Sequence, residues 1–323
     1  MKRLLLFFLT FSLFFLFTGC GKKKEATTAP TTGAKGGKTY VFALVPKSVG
    51  SPYWSACEEG MNEACKELGV KGYFVGPETT DVEKQIRIIE DFISKKVDGI
   101  AISPNDPTAV TPVIDKILSQ GIPVITFDSD APKSKRLCYI GTDNYKAGYA
   151  AGEEMIKVLG GKGKIAVMTG SLGAFNLNER IRGFKDALKK APGIKIITTQ
   201  ANNDDEELCF SQAESILQAH PDLAGFFGVS GTGGPGSARA VKAANKVGKV
   251  KIVCFDTVPM TIQFIKEGVI QATIAQKPKM MGYLAVKTLY EMAKSGKLEK
   301  IPDIDTGITV VTKENVSEFE TPQ

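Results

Sequence analysis

The chain has 323 residues, 43% of them apolar and 24% charged, with a formal net charge of +6. Seven of its 41 Lys and Arg and one of its 35 Asp and Glu precede Thr39, so the remainder carries 34 of each and is neutral. Nothing in that balance suggests a nucleic-acid surface. The single histidine, His220, sits between a helical period and Pro221 and gives no basis for a Ser-His-Asp or Cys-His arrangement.

The chain opens MKRLLLFFLTFSLFFLFTGC: two cations, an apolar run from Leu4 to Phe17, then Thr18, Gly19 and Cys20. This is the layout of a secretory signal, with a run shorter than the roughly 20 residues of a spanning helix. Cys20 after Thr-Gly resembles a bacterial lipobox, with Phe17 where Leu is usual. Residues 1–19 are expected to be a lipoprotein signal peptide and Cys20 the lipidated residue. Residues 20–38, rich in Lys, Thr, Gly and Ala, read as a lipid-attached flexible tether whose lysines face anionic headgroups. The expected location is the cell envelope, periplasmic or on the outer face of the cytoplasmic membrane, lipid-anchored.

From Thr39 the chain is long enough for one large or two medium domains. Short β-branched runs predict strands at 40–45, 71–75, 98–102, 122–127, 164–168, 194–199, 223–229, 250–255 and 270–275. Helical periods lie between them. In 53–68, Trp54, Cys57, Met61, Ala64 and Leu68 recur at alternating three- and four-residue spacing, with Ser51 as cap and Pro52 in the first turn. In 81–96, Val82, Ile86, Ile89 and Ile93 do the same, and Thr80 with Glu83 reads as a capping box. This alternation predicts an α/β fold with parallel sheets covered on both faces. Five cysteines besides Cys20 (Cys57, Cys65, Cys138, Cys209 and Cys254) form no CxxC and read mostly as buried thiols, not a disulfide framework or a zinc site.

Two halves echo each other. VDGIAIS (97–103) parallels LAGFFGVS (223–230), and IPVITFDS (122–129) parallels VKIVCFDT (250–257). Asp128 and Asp256 therefore end equivalent strands, where ligands bind in open α/β sheets. Facing each other, they would project into one cleft. Asp128 and Asp130 alone are too few for a metal site. GTGGPG (231–236) fits a dinucleotide fingerprint but lies in the second half, and it reads better as a small-residue turn with Pro235 starting the helix. No cofactor or metal is expected. Polyol recognition needs carboxylates for hydroxyl donors, cationic and amide donors, and an aromatic face for the ring. The chain carries these at predicted strand ends and first turns: Lys47, Tyr53, Trp54, Asp128, Asn176, Arg180, Asp256 and Gln276.

ALVPKSVGSPYW, GIPVITFDSD, NERIRGF, KIVCFDTVP and QATIAQKPKMMGY carry a resemblance to the periplasmic sugar-binding proteins of ABC importers, ribose-type, over residues 39 to about 311. The resemblance implies a periplasmic-binding-protein type I fold. Two Rossmann-like lobes with parallel sheets, joined by three crossovers, would close on a small sugar or polyol delivered to an ABC permease. It implies an N-terminal lobe of 39–143 and 276–301 and a C-terminal lobe of 144–275 and 302–323. Tyr53 and Trp54 match the family's aromatic pair, and Asp128, Arg180, Asp256 and Gln276 match its polar ligands. Ribose binders carry Arg after the first Asp, here Ser129, and Asn-Asp after the eighth strand, here Ser230-Gly231. Lys47 and the DSD run with Asp130 are similar to the rhamnose- and autoinducer-2-binding branch, whose second-lobe Asp-Gln pair is replaced by Asn176 and Leu177. The expected ligand set is thus Lys47, Tyr53, Trp54, Asp128, Asp130, Asn176, Arg180, Ser230, Asp256 and Gln276, suited to another pentose, a deoxysugar or a polyol. A sensory module binding an autoinducer-2-like signal is the alternative. A sugar-acting enzyme using Asp128 and Asp256 as paired carboxylates is a weaker one. The export signal and missing DNA-binding headpiece oppose a LacI-type repressor.

Overall fold

A computed structural model describes residues 38–319; the expected signal peptide, Cys20 and the tether up to residue 37 lie outside the described residues. The chain builds two six-stranded sheets with matching strand orders. The first contains β1 (Val41–Val45), β2 (Lys71–Phe74), β3 (Gly99–Ile102), β4 (Val124–Phe127), β5 (Tyr139–Gly141) and β11 (Ile304–Asp305), in the order β11-β5-β4-β3-β1-β2. The second contains β6 (Lys162–Thr169), β7 (Gly193–Ala201), β8 (Leu223–Gly228), β9 (Lys251–Phe255), β10 (Ala272–Ala275) and β12 (Thr309–Thr312), in the order β12-β10-β9-β8-β6-β7. Every named pairing is parallel except β10 with β12.

Alternation along the strands explains their unbroken apolar sequences. Phe42, Leu44, Ala101, Ile125 and Phe127 pack on one side of the first sheet with α1 (Pro52–Leu68) and α9 (Pro278–Ser295). Ala43, Val45, Ile100, Ile102 and Val124 pack on the other side with α2 (Val82–Ser94) and α3 (Pro107–Ser119). A strand buried on both faces has no polar side to display. The second sheet repeats this. Its two faces carry α4 (Asn144–Leu159) with α5 (Phe175–Leu188), and α6 (Glu206–Ala219) with α7 (Gly233–Ala243) and α8 (Pro259–Lys266).

The chain passes between the lobes at 141–144, 275–278 and 305–309. Strand β11 falls in the first sheet, where Ile304 pairs Ile140, although 302–323 was expected in the second lobe. Two smaller expectations also change. Asp81, not Thr80, caps α2, its carboxylate accepting from Lys84 N at 2.9 Å, and the Thr80 hydroxyl has no partner among the described residues. Helix α7 begins at Gly233, two residues before Pro235, because the glycines let it press onto the sheet: a Cβ on Gly234 would lie 2.6 Å from Cys254 Sγ. All five described cysteines are buried free thiols.

Candidate functional site

Each sheet ends in the same device. Past β4, Asp128 takes φ 59°, and past β9, Asp256 takes φ 71°. This left-handed backbone is tolerated by Asp better than by most residues and costs on the order of 1 kcal/mol. The neighbouring strand holds both in place. Asp128 N–H donates to Ile140 O and Asp256 N–H to Ile274 O, each at 3.0 Å. The Tyr139 hydroxyl donates to Asp128 O at 2.9 Å, and the Thr273 hydroxyl to Asp256 O at 2.8 Å. The backbone turn aims each carboxylate away from its sheet and into the space between the lobes.

That space is a cavity of about 610 Å³. Nine of the ten expected residues line it: Lys47, Tyr53, Trp54, Asp128, Asn176, Arg180, Ser230, Asp256 and Gln276. Lys47, at the end of β1, bridges the walls. Its ammonium donates to Asn176 Oδ1 at 3.1 Å and lies 3.3 Å from Asp128 Oδ2. Trp54 serves both the core and the cavity, standing edge-on to Tyr53 and to Phe127 while facing the cleft.

Asp130 is the exception and corrects the expectation. It is buried but turned away from the cavity. Its carboxylate accepts from Arg136 Nε and Nη2 at 2.7 Å each, from Thr126 Oγ1 at 2.6 Å and from its own Ala131 N–H. A paired guanidinium fork saturates it. Arg136 also reaches Asp303, tying this turn to the segment before β11.

The twin aspartates differ in their partners. Asp128 accepts from Tyr53 Oη at 2.8 Å and Ser103 Oγ at 2.6 Å, beside Lys47. Burial acts to raise its pKa, but Lys47, Ser103, Arg180 and Tyr53 together hold it below the ordinary aspartate value. Among the described residues the Asp256 carboxylate accepts from Gln276 Nε2 alone, at 2.7 Å on Oδ1, so Oδ2 is open. Burial raises its pKa above the ordinary value, and the nearby Asp128 adds to that against Arg180, Gln276 and Lys47. Gln276 is oriented in turn by Thr142, which donates to Oε1 at 3.0 Å.

Arg180 is 1% exposed. Its Nε donates to Asn144 Oδ1 at 2.8 Å and Nη1 to Val229 O at 3.0 Å, and its plane lies 4.1 Å from the Phe255 ring centre. Its Nη2 has no hydrogen-bond partner among the described residues. A buried guanidinium donor and a carboxylate oxygen facing the cavity, both unmatched among the described residues on one cavity wall, are what a hydroxyl-bearing ligand satisfies. Sequence reasoning missed Ser103, Tyr139, Thr142 and Asn144. Ser103 had a signal, since it stands where Ser230 stands in the echoed VDGIAIS and LAGFFGVS runs.

Residues 42–298 match the periplasmic binding protein domain family. The chain belongs to that family. This binding protein is 27% identical over 300 residues to the ribose import binding protein RbsB of Bacillus subtilis, covering 93% of this chain and 96% of that one. It is 32% identical to RbsB of Haemophilus influenzae, over 81% of this chain and 88% of that one. Among solved structures it is similar to an ABC transporter solute-binding protein of Burkholderia graminis in complex with D-arabinose. Identity is 44% and the TM-score 0.84, over 88% of this chain and 99% of that one. GanP, a glucose-galactose binding protein of Geobacillus stearothermophilus, is 36% identical with a TM-score of 0.82, over 86% and 99%.

Proposed function

We propose that this chain is an extracytoplasmic solute-binding lipoprotein that captures an uncharged sugar between its lobes and hands it to an ABC permease. The observation that carries the reading is the pair of left-handed aspartates on opposite walls, with Asp256 Oδ2 and Arg180 Nη2 left unmatched on the second-lobe wall among the described residues. The cavity lining carries six carboxylates, Glu78, Asp128, Asp204, Asp205, Glu206 and Asp256, against two cations, Lys47 and Arg180, and this negative excess favours a neutral polyol over a sugar acid or phosphate. Relatives named for ribose import, and solved neighbours named for D-arabinose or glucose and galactose, support the sugar class. The lipid anchor rests on MKRLLLFFLTFSLFFLFTGC, with Cys20 as the acylated residue. Cys20→Ser is expected to release the protein from the membrane fraction of its host.

Thermal shift against D-ribose, D-allose, D-arabinose, D-xylose, D-glucose, D-galactose, D-fucose and autoinducer-2 tests the reading. A matching sugar at a hundredfold excess over its Kd adds about 2.7 kcal/mol and raises the melting point by about 5 °C. Unmoved melting across the panel would sink the sugar assignment. A response to autoinducer-2 alone would move the protein to the signal-binding class.

A further inference from the structure

Arg180 belongs to the second lobe and Asp128 to the first, yet buried and half-buried hydrogen bonds through the first crossover connect them. Asn144, the first residue of α4, uses every polar atom of its side chain. Its Oδ1 accepts from Arg180 Nε at 2.8 Å, and its Nδ2 donates to Tyr139 Oη at 3.1 Å and to Thr142 O at 3.0 Å. The amide can face only one way, because Arg180 has donors and no acceptor. The single Tyr139 hydroxyl proton is then shared between Asp128 O at 2.9 Å and Thr142 O at 3.0 Å. Asn144 and Thr142 are buried, as is Arg180.

Helix packing brings the ends of this chain of bonds together. A Cβ on Gly148 would sit 1.9 Å from Arg180 O, and one on Gly183 would sit 2.0 Å from Tyr145 O. Only glycines let α4 and α5 approach that closely. The approach sets Asn144 against Arg180. The second lobe holds its own aspartate carbonyl with Thr273 on β10, and its carboxylate reaches the same crossover by a separate route, through Gln276 and Thr142.

We propose that Tyr139 and Asn144 are positioning residues for sugar capture, locking the Arg180 guanidinium to the Asp128 peptide across the hinge. The ligand-facing groups of the two lobes then keep their mutual register while the lobes rotate about the crossover that carries the link. This rests on the reading of the cleft as a sugar site, and its test separates the two.

The first arm uses no sugar. In the ¹⁵N-labelled full chain, the Arg180 Nε–H signal, assigned by its loss in Arg180→Lys, is expected to exchange slowly with solvent. Tyr139→Phe, which removes a hydroxyl that does not touch Arg180, should speed that exchange about fivefold, the weight of one net hydrogen bond. Unchanged exchange overturns the proposal. The second arm titrates D-arabinose by calorimetry. Tyr139→Phe should weaken it about fivefold at a temperature far below the variant's melting point. The double variant with Asn144→Ala should be no weaker than Asn144→Ala alone. Additive losses overturn the proposal. If Asn144→Ala does not fold, Tyr139→Phe and the exchange arm still decide. Failure of the wild-type chain to bind D-arabinose counts against that sugar as ligand only, and the exchange result stands by itself.

Discussion

Asp256→Asn separates binding from stability. Gln276 Nε2 occupies Oδ1 at 2.7 Å, so an asparagine must keep its carbonyl oxygen there and place its amide nitrogen where Oδ2 stood. The open acceptor becomes a donor. A sugar hydroxyl that donated to Oδ2 then faces another donor and loses a charge-assisted bond, about 1.5–3 kcal/mol. That is about 10- to 150-fold in Kd. The fold is not harmed. Asparagine accepts the left-handed φ of 71° as readily as aspartate, and burial already disfavours the charged carboxylate it replaces. Calorimetry with the sugar that gives the largest thermal shift, beside melting of the free protein, reads both effects. A Kd within twofold of wild type, or a melting point several degrees lower, would refute the assignment of Asp256 as the open acceptor.

Asp128→Asn should act in the opposite sense on stability. It strips the buried Lys47 ammonium of its carboxylate, costing about 3 kcal/mol in denaturant unfolding, and an unchanged midpoint would count against the pair. The pH profiles should divide in the same way. The depressed pKa of Asp128 contributes stability that is present above the ordinary value near 3.9 and is lost as pH falls through its lower folded value. The raised pKa of Asp256 makes its charged form a cost to the fold, relieved as pH falls through that higher value. On acidification from neutrality, sugar affinity should therefore fall before stability does, and Asp256→Asn should abolish that early loss; coincident profiles would contradict the asymmetry. Asp130→Asn should lower stability by about 1–3 kcal/mol through its bond to Arg136 and leave sugar affinity within a factor of about two, since Asp130 faces away from the cavity. A tenfold affinity loss would restore it to the site.

The contrast between the twins shows why part of the site was legible and part was not. All nine expected strands form, with ends within two residues of the structure, because a strand buried on both faces must be apolar along its length and so announces itself. β5, of three residues, and β11, of two, are too short for any period to register. FDS and FDT were readable as one device because the turn that follows each strand is local. Their partners come from elsewhere in the chain: Lys47, Tyr53 and Ser103 converge on Asp128, and Gln276 alone on Asp256. Asp130 failed as an expected ligand for a nearer reason, since Thr126, Ala131 and Arg136 take its carboxylate within six residues of sequence, in a turn that has no apolar period to announce it. Local repetition thus sets where the two carboxylates stand, and long-range contacts set what each can do. One is saturated by its own lobe and held charged; the other keeps a free oxygen and resists charge. A neutral hydroxyl donor can use the second oxygen without displacing a protein bond, so the departure from symmetry, more than the symmetry, gives the cleft an orientation for its ligand.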